Sequence, residues 1–282
     1  MKAGRWIAWL AALLACSPAG PTRILLATTT SVEDSGLLDA LLPAFREAYS
    51  QYEIEYVAVG SGQSLELGRR GDADVIIAHS PADEQEFMDI GYGQSRQTVM
   101  HNEFIVLGPA SDPAGIRGIT DAAEAFRRIA GAQAGFVSRG DDSGTHRKEK
   151  TIWSAAGIEP SGPWYTEAGV GMGDALRIAS EREAYILSDI STYLYNRNGL
   201  GLEPLCRGDP RLRNVYSVIR VARARHPAGA AAFADWLIGS SAQQLIGRFG
   251  IEQVGQPLFV PDAGRGVSLE EKPLRLIASA SP

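Results

Sequence analysis

Ile24-Leu25-Leu26-Ala27-Thr28-Thr29-Thr30-Ser31 begins as a short apolar strand and ends in four consecutive hydroxyl side chains. Beyond it, Leu37, Leu38, Leu41, Leu42, Phe45 and Tyr49 recur at helical spacing, with Pro43 expected to kink or restart the helix. The scheme then repeats. A strand over 54–59 leads through Gly60-Ser61-Gly62-Gln63-Ser64 into a helix over 64–70. A strand over 74–78, a helix over 83–90, a strand over 104–107 ended by Gly108-Pro109, and a helix over 121–130 capped by Thr120 follow. In the second half, a strand over 135–137 enters Ser138-Arg139-Gly140-Asp141-Asp142-Ser143-Gly144-Thr145, then a helix that stops at Gly157. Gly169-Val170-Gly171-Met172-Gly173 introduces a helix over 174–181, and a strand over 184–187 ends in Ser188-Asp189. A strand over 215–221 and helices over 228–238 and 241–249 complete the series. Strands alternating with helices at this spacing predict an α/β fold built from parallel layers.

The 282 residues, 45% hydrophobic and 21% charged, suit a soluble globular chain of one large domain or two lobes. No stretch reaches the roughly 18 consecutive apolar residues of a membrane span. A formal net charge of -6 speaks against a nucleic-acid surface. Lys2 and Arg5 precede an apolar run over 6–15, so residues 1–21 read as a secretory signal and tether. Leu13-Leu14-Ala15-Cys16-Ser17 resembles the bacterial lipobox, which makes Cys16 a lipidation candidate; an ordinary signal cleaved near Ala15 or Ala19 would leave it incidental. Both readings place the working protein in the periplasm or at the cell surface. Cys206 then stands alone, and the expectation for it is a small buried hydrophobe.

The polar loops carry the functional signal. In open α/β sheets, ligands bind beyond the carboxyl ends of strands. Helix N-termini there present unpaired N–H groups, which favour an anion, and Ser and Thr add rotatable donors. One such loop is ordinary N-capping, but three spread over both halves point to an anion site. Arg139 is the cation within them, either a ligand for an oxyanion or a surface group paired with Asp141 or Asp142. Those aspartates would repel a dianion, so they are expected to cap the helix near Ser143 or to brace Arg139 from behind. Gly60-Ser61-Gly62-Gln63-Ser64 is neither a P-loop nor a nucleophile elbow. His79, His101, His146 and His226 have no metal spacing, and His146 with Glu149 is expected to be solvated. Trp153, Trp164 and Tyr165 are expected to pack cores or a lobe interface. Asp34, Asp189 and His146 could be imagined as a hydrolytic set with a serine, but nothing orders them. Binding is the stronger reading, with no catalytic residue, cofactor or metal-ion site expected.

At Thr28-Thr29-Thr30-Ser31, Val59-Gly60-Ser61-Gly62-Gln63 and Ser138-Arg139-Gly140-Asp141-Asp142-Ser143-Gly144-Thr145-His146, the chain resembles the tungstate-binding proteins (TupA type) of bacterial ABC importers. Gly71-Asp72-Ala73-Asp74, Asn102-Glu103-Phe104 and Phe233-Ala234-Asp235-Trp236-Leu237 extend the likeness. The resemblance implies a two-lobed, type II periplasmic binding protein fold, with two crossovers between lobes and the ligand in the cleft. Residues 22–103 plus 214–282 would form lobe 1 and 104–213 lobe 2, with hinges near 102–104 and 214–216. It further implies a monomer that binds tungstate, with molybdate a close competitor, and hands it to an ABC transporter permease in the cytoplasmic membrane. Carried over residue by residue, Thr29, Thr30, Ser31 and Ser61 would donate from one lobe, and Arg139, Ser143 and Thr145 from the other. Two departures stand out. Ser188-Asp189-Ile190-Ser191 occupies the place of an expected Asp-Arg-Gly, and His101 that of a more usual Tyr. A tetrahedral dianion accepts hydrogen bonds and donates none, so a pocket of donors alone suits it; protonated phosphate would find no acceptor there. Sulfate, phosphate or molybdate specificity is one alternative, and an exported phosphoester hydrolase is another.

Overall fold

The first half of the chain runs β1 (Thr22–Thr29), α1 (Thr30–Asp34), α2 (Leu37–Ala48), β2 (Tyr52–Val59), α3 (Ser61–Arg70), β3 (Val75–Ala78) and α4 (Pro81–Asp89) into the long β4 (Gly93–Pro109). In β1 the two-residue period of a strand divides the side chains between two apolar cores. Ile24 and Leu26 join the largest, and Ala27 joins a smaller one on the other face. β3 divides likewise, Val75 and Ile77 against Ile76 and Ala78. The uninterrupted apolar runs in sequence thus mark strands covered on both faces. This computed structural model describes residues 20–264. Residues 1–19, where the expected signal segment and Cys16 fall, and residues 265–282, expected to belong to lobe 1, lie outside the described residues.

The second half continues through α5 (Ala122–Gly131), β5 (Phe136–Ser138), α6 (Gly144–Ala156), β6 (Tyr165–Glu167), α7 (Met172–Glu181), β7 (Tyr185–Asp189), α8 (Ile190–Asn196) and β8 (Leu202–Cys206). A 3₁₀ turn at Pro210–Leu212 leads back into β9 (Arg213–Val221), followed by α9 (Pro227–Leu237), α10 (Ser240–Arg248), α11 (Ile251–Val254) and β10 (Val260–Pro261). Phe104, Phe126, Phe136 and Trp153 centre the core of this half, and Trp164 and Tyr165 pack on it. Each such ring contributes roughly 1.5–3 kcal/mol on full burial. Cys206 is buried here as expected, and burial pushes its thiol up to about 12.

Strand order is β2-β1-β3-β9-β4-β7-β5-β6, with β8 and β10 also pairing with β4. β2, β1 and β3 are parallel, as are β7, β5 and β6, but β9 and β4 run antiparallel to their neighbours. The expectation of purely parallel layers therefore fails at the two strands that carry the chain between halves. β4 changes partner within its length: Glu103 is the last residue paired with β9, opposite Arg213, and Phe104 the first paired with β7. Only 104–107 of β4 was legible in sequence, because its start, Gln94-Ser95-Arg96-Gln97-Thr98, is polar and not buried.

Two local expectations need correction, and one departure finds its structural role. Pro43 sits inside an unbroken α2, and the chain breaks earlier, at Gly36, where φ is +74°. α5 is capped by Asp121, whose side chain accepts from the Glu124 N–H at 3.0 Å, and not by Thr120. His101 is buried in β4 against Asp262 at 3.0 Å, so that departure serves the docking of the C-terminal strand.

Candidate functional site

Register pairs Thr29 with Val59, so the loops opening α1 and α3 leave the sheet side by side. The Ser64 hydroxyl donates to the Thr28 carbonyl at 2.8 Å and fastens α3 to the end of β1. Thr29 and Gly60 are the N-cap residues of α1 and α3, and neither supplies a side-chain cap. The first N–H groups of these helices are thus left to other partners. Facing them, β5 runs into a turn with φ of +62° at Gly140 and +57° at Asp142. Gly140 is needed twice over, since a Cβ there would also lie 2.8 Å from the Glu167 Cβ. The turn delivers Ser143 as the N-cap of α6, its hydroxyl oxygen accepting from the His146 N–H at 3.3 Å. That bond leaves the Ser143 hydroxyl proton free to donate.

The starts of α3 and α6 nearly touch. A Cβ built on Gly144 would lie 2.9 Å from Ser61 Oγ and 3.0 Å from His79 Nε2. Arg139, only 1% exposed, bridges the halves: Nη2 donates to Thr30 Oγ1 at 3.0 Å and Nη1 to Ser31 Oγ at 3.4 Å. Nη2 also donates to the Asp141 carboxylate. The pairing with Asp141 is therefore present, but it is inward and not on the surface. Asp141 braces the arginine and accepts from the Ser143 N–H at 3.2 Å. Asp142 does neither. It turns outward to Arg147 at 2.7 Å, and Arg147 crosses to Asp83 at 2.6 Å, forming a bridge between halves beside an open groove of about 460 Å³.

All seven sequence-predicted residues gather at this junction, and all but Thr30 are buried. Among the described residues, Thr29 Oγ1, Ser61 Oγ, Thr145 Oγ1 and Arg139 Nε are buried with no hydrogen-bond partner. Such atoms are rare in folded proteins because each costs desolvation without return, so a cluster of them marks where a ligand can pair. The fourth loop behaves differently. Its helix, α7, is met by Asp34 from α1, whose carboxylate accepts from the Gly173 N–H at 3.2 Å, so it joins the halves instead of adding donors.

Sequence reasoning left five polar residues behind this centre, His79, Asn214, Asn102, Ser191 and Asp189, out of the predicted site. His79 follows the carboxyl end of β3, where the rule used for the other strands would have found it. Its Nδ1–H donates to Asn214 Oδ1 at 2.8 Å, Asn214 Nδ2 donates to Asn102 Oδ1 at 2.8 Å, and Asn102 Nδ2 reaches Ser191 Oγ at 3.0 Å and Asp189 Oδ1 at 3.5 Å. Asp189 caps α8, accepting from the Thr192 N–H at 2.9 Å. His79 Nε2 and Asp189 Oδ2 are likewise buried without a partner among the described residues. The expectation of a donor-only pocket is corrected at His79, whose Nε2 stands beside Ser61 at the start of α6, while Asp189 lies further along the same hydrogen-bonded chain. Burial lowers His79 to about 4, which leaves its imidazole neutral near pH 7.

His146 and Glu149 are not solvated. His146 Nδ1 accepts from the Asp142 N–H at 3.0 Å, while Glu149 accepts from Trp153 Nε1 and the Tyr165 hydroxyl. Burial raises the Glu149 carboxyl to about 7. Asp34, Asp189 and His146, the imagined hydrolytic set, are each engaged separately, and none hydrogen-bonds another.

A family model described as a PBP superfamily domain matches residues 17–241. A relative named tungstate-binding protein TupA, from Peptoclostridium acidaminophilum, is 46% identical over 248 residues, 86% of each chain. Two solved structures are also similar. The tungstate ABC transporter structure from Geobacter sulfurreducens superposes with a TM-score of 0.73 at 40% identity, covering 80% of this chain and 98% of that one. The tungstate-binding protein TupA from Desulfovibrio alaskensis G20 gives 0.70 at 38% identity, covering 86% and 99%.

Proposed function

Because the chain belongs to the TupA-type tungstate-binding family of the PBP superfamily, we propose that it is an extracytoplasmic solute-binding protein that captures tungstate for an ABC importer. In this reading residues 22–103 with 214–282 form one lobe and 104–213 the other, the ligand lies between them, and a membrane permease receives it. A monomer tethered through a lipid on Cys16 completes the proposal.

One observation carries the site: a buried guanidinium that bridges the halves, with buried hydroxyls of Thr29, Ser61 and Thr145 on the adjoining helix starts that have no hydrogen-bond partner among the described residues. Thr29, Thr30, Ser31 and Ser61 donate to the anion from the first lobe, and Arg139, Ser143 and Thr145 from the second. The N–H groups at the starts of α3 and α6 add fixed partial positive charge. None of these groups contacts the metal itself; every bond is made to oxygen. Closing the lobes around the anion removes water, which strengthens each hydrogen bond and makes the ligand the element that holds the halves together. Sulfate, with shorter bonds from its central atom to oxygen, cannot reach all the donors at once.

His79 Nε2 and Asp189 Oδ2 support a second reading, a protonated oxyanion such as hydrogenphosphate, which needs an acceptor for its proton. Competition calorimetry among tungstate, molybdate, sulfate and phosphate separates the two. Tungstate and molybdate should displace each other while sulfate and phosphate in large excess displace neither; tight phosphate binding would replace the proposal by the second reading. The relatives are named as binding proteins, and turnover of a chromogenic phosphate ester would be the result that restores the hydrolase alternative.

A further inference from the structure

We propose that His79 is itself a ligand of the bound oxyanion and that it binds as an imidazolium, taking one proton from solvent at Nε2 for each dianion captured. The inference rests on the oxyanion-binding reading above.

The geometry begins with the ring's fixed orientation. Asn214 Nδ2 is committed as donor to Asn102 Oδ1 and to the Tyr216 hydroxyl, both at 2.8 Å, so Asn214 presents its oxygen to His79. His79 Nδ1 must therefore carry a proton, and Nε2 is the nitrogen that changes state. The ring is also stacked on Tyr216 and Phe104, with centroids 4.9 and 6.0 Å away, and the Asn214 bond favours the orientation that presents Nε2. Nε2 points at the start of α6, beside Ser61 and Gly144, and has no protein partner among the described residues. A neutral Nε2 turns a lone pair toward an anion that has only lone pairs to offer. The same atom protonated donates a charge-assisted hydrogen bond.

The surroundings set the free ring neutral and leave it sensitive to a new charge. Burial is the largest influence against its charged form, joined by Arg139 from the β5–α6 turn and Lys148 on α6; the hydrogen bond to Asn214, and then Asp189 at the end of β7, act the other way. Ser61 on α3, Asn102 and Phe104 on β4, and Asn214 and Tyr216 on β9 are uncharged, Tyr216 because burial holds its hydroxyl far above the ordinary range. A dianion arriving beside Nε2 supplies the attraction that burial withholds, and it neutralises the opposing field of Arg139. Proton uptake and anion binding are then linked, each favouring the other.

The test uses wild-type protein. Tungstate titrations at pH 7 in buffers of different ionisation enthalpy should show uptake approaching one proton per anion. Between pH 8 and pH 6 the dissociation constant should fall by up to about tenfold per unit. His79→Gln should bind more weakly and take up no proton. ¹⁵N-imidazole spectra of the wild type should show one of the four histidines becoming doubly protonated with tungstate, a readout independent of how that variant folds. Tungstate bound with no proton uptake, or uptake retained in His79→Gln, would overturn the inference and leave the functional reading standing. A wild type that does not bind tungstate would instead overturn the functional reading on which it rests.

Discussion

Thr145→Val separates ligand binding from folding. Thr145 is the second residue of α6 and is 1% exposed, and its hydroxyl has no hydrogen-bond partner among the described residues. Valine keeps the branched shape and replaces the hydroxyl by a methyl group, so α6 should form and pack as before. In the free protein the change removes a buried hydroxyl that has no hydrogen-bond partner among the described residues, so ligand-free stability should hold or rise, by up to about 1–3 kcal/mol. In the complex it deletes a donor to a charged group, worth about 1.5–3 kcal/mol, or about 10- to 150-fold in dissociation constant. Calorimetric titration with tungstate reads the affinity, and thermal unfolding with and without tungstate reads both quantities together. The midpoint without ligand should hold or rise, while the ligand-induced increase shrinks. Thr145→Ser, which keeps the donor, should retain most of the affinity. Unchanged tungstate affinity in the valine variant would show that this hydroxyl does not face the anion. Equal losses of affinity and of ligand-free stability would show that its role is packing.

Arg139→Met should weaken tungstate binding at least about 30-fold, the lower end of the cost of breaking a buried charge pair. Adding Asp141→Asn should recover ligand-free stability, because Asp141 then has no unmatched charge, without recovering affinity. Arg147→Ala removes a half-exposed bridge to Asp83, so binding should weaken by no more than about fivefold, and less at high salt. Glu149 has a folded-state pKa of about 7 against an ordinary 4.5, so the folded protein holds the extra proton between those values. Stability should therefore be highest below about pH 4.5 as far as this group is concerned, fall as pH rises toward 7, and stay low above it. Glu149→Gln, which still accepts from Trp153 and Tyr165, should abolish that fall and be more stable at pH 8 by about 1–3 kcal/mol; urea unfolding at pH 5 and pH 8 checks both.

Much of the molecule was legible because its signals are local. The apolar run 24–27 read as a strand and is one, the spacing of Leu37, Leu41 and Phe45 read as one helix face and is buried as one, and α6 ends at Gly157 as expected, with φ of +72° there. The hydroxyl-rich loops were legible for the same reason, since each immediately follows a strand. β6, β8 and α8 were missed: two are short strands of three and five residues, and α8 owes its start to the Asp189 cap instead of to an apolar stripe. The polar start of β4 was missed because its hydrogen bonds go to β9, more than a hundred residues away in sequence. The solvation expected of His146 and Glu149 failed because a charged residue's burial depends on which faces cover its helix, and the aromatic cluster of Trp153 and Tyr165 covers this one.

The sequence by itself determined which atoms could meet an anion: strand ends carrying Thr29 to Ser31, Ser61, and Arg139 with Ser143 and Thr145, each a donor by its own chemistry. Only the tertiary structure decided that they meet, and in what company. Two antiparallel crossing strands bring the start of α3 against the start of α6, turn Asp141 inward and Asp142 outward, and set His79 behind them with its Nδ1 side fixed by Asn214. Donor capacity is a property of a residue and can be read from a chain. Burial, the direction of a lone pair and the charge state that follows from them are properties of neighbours far apart in sequence, and they exist only once the chain has closed on itself.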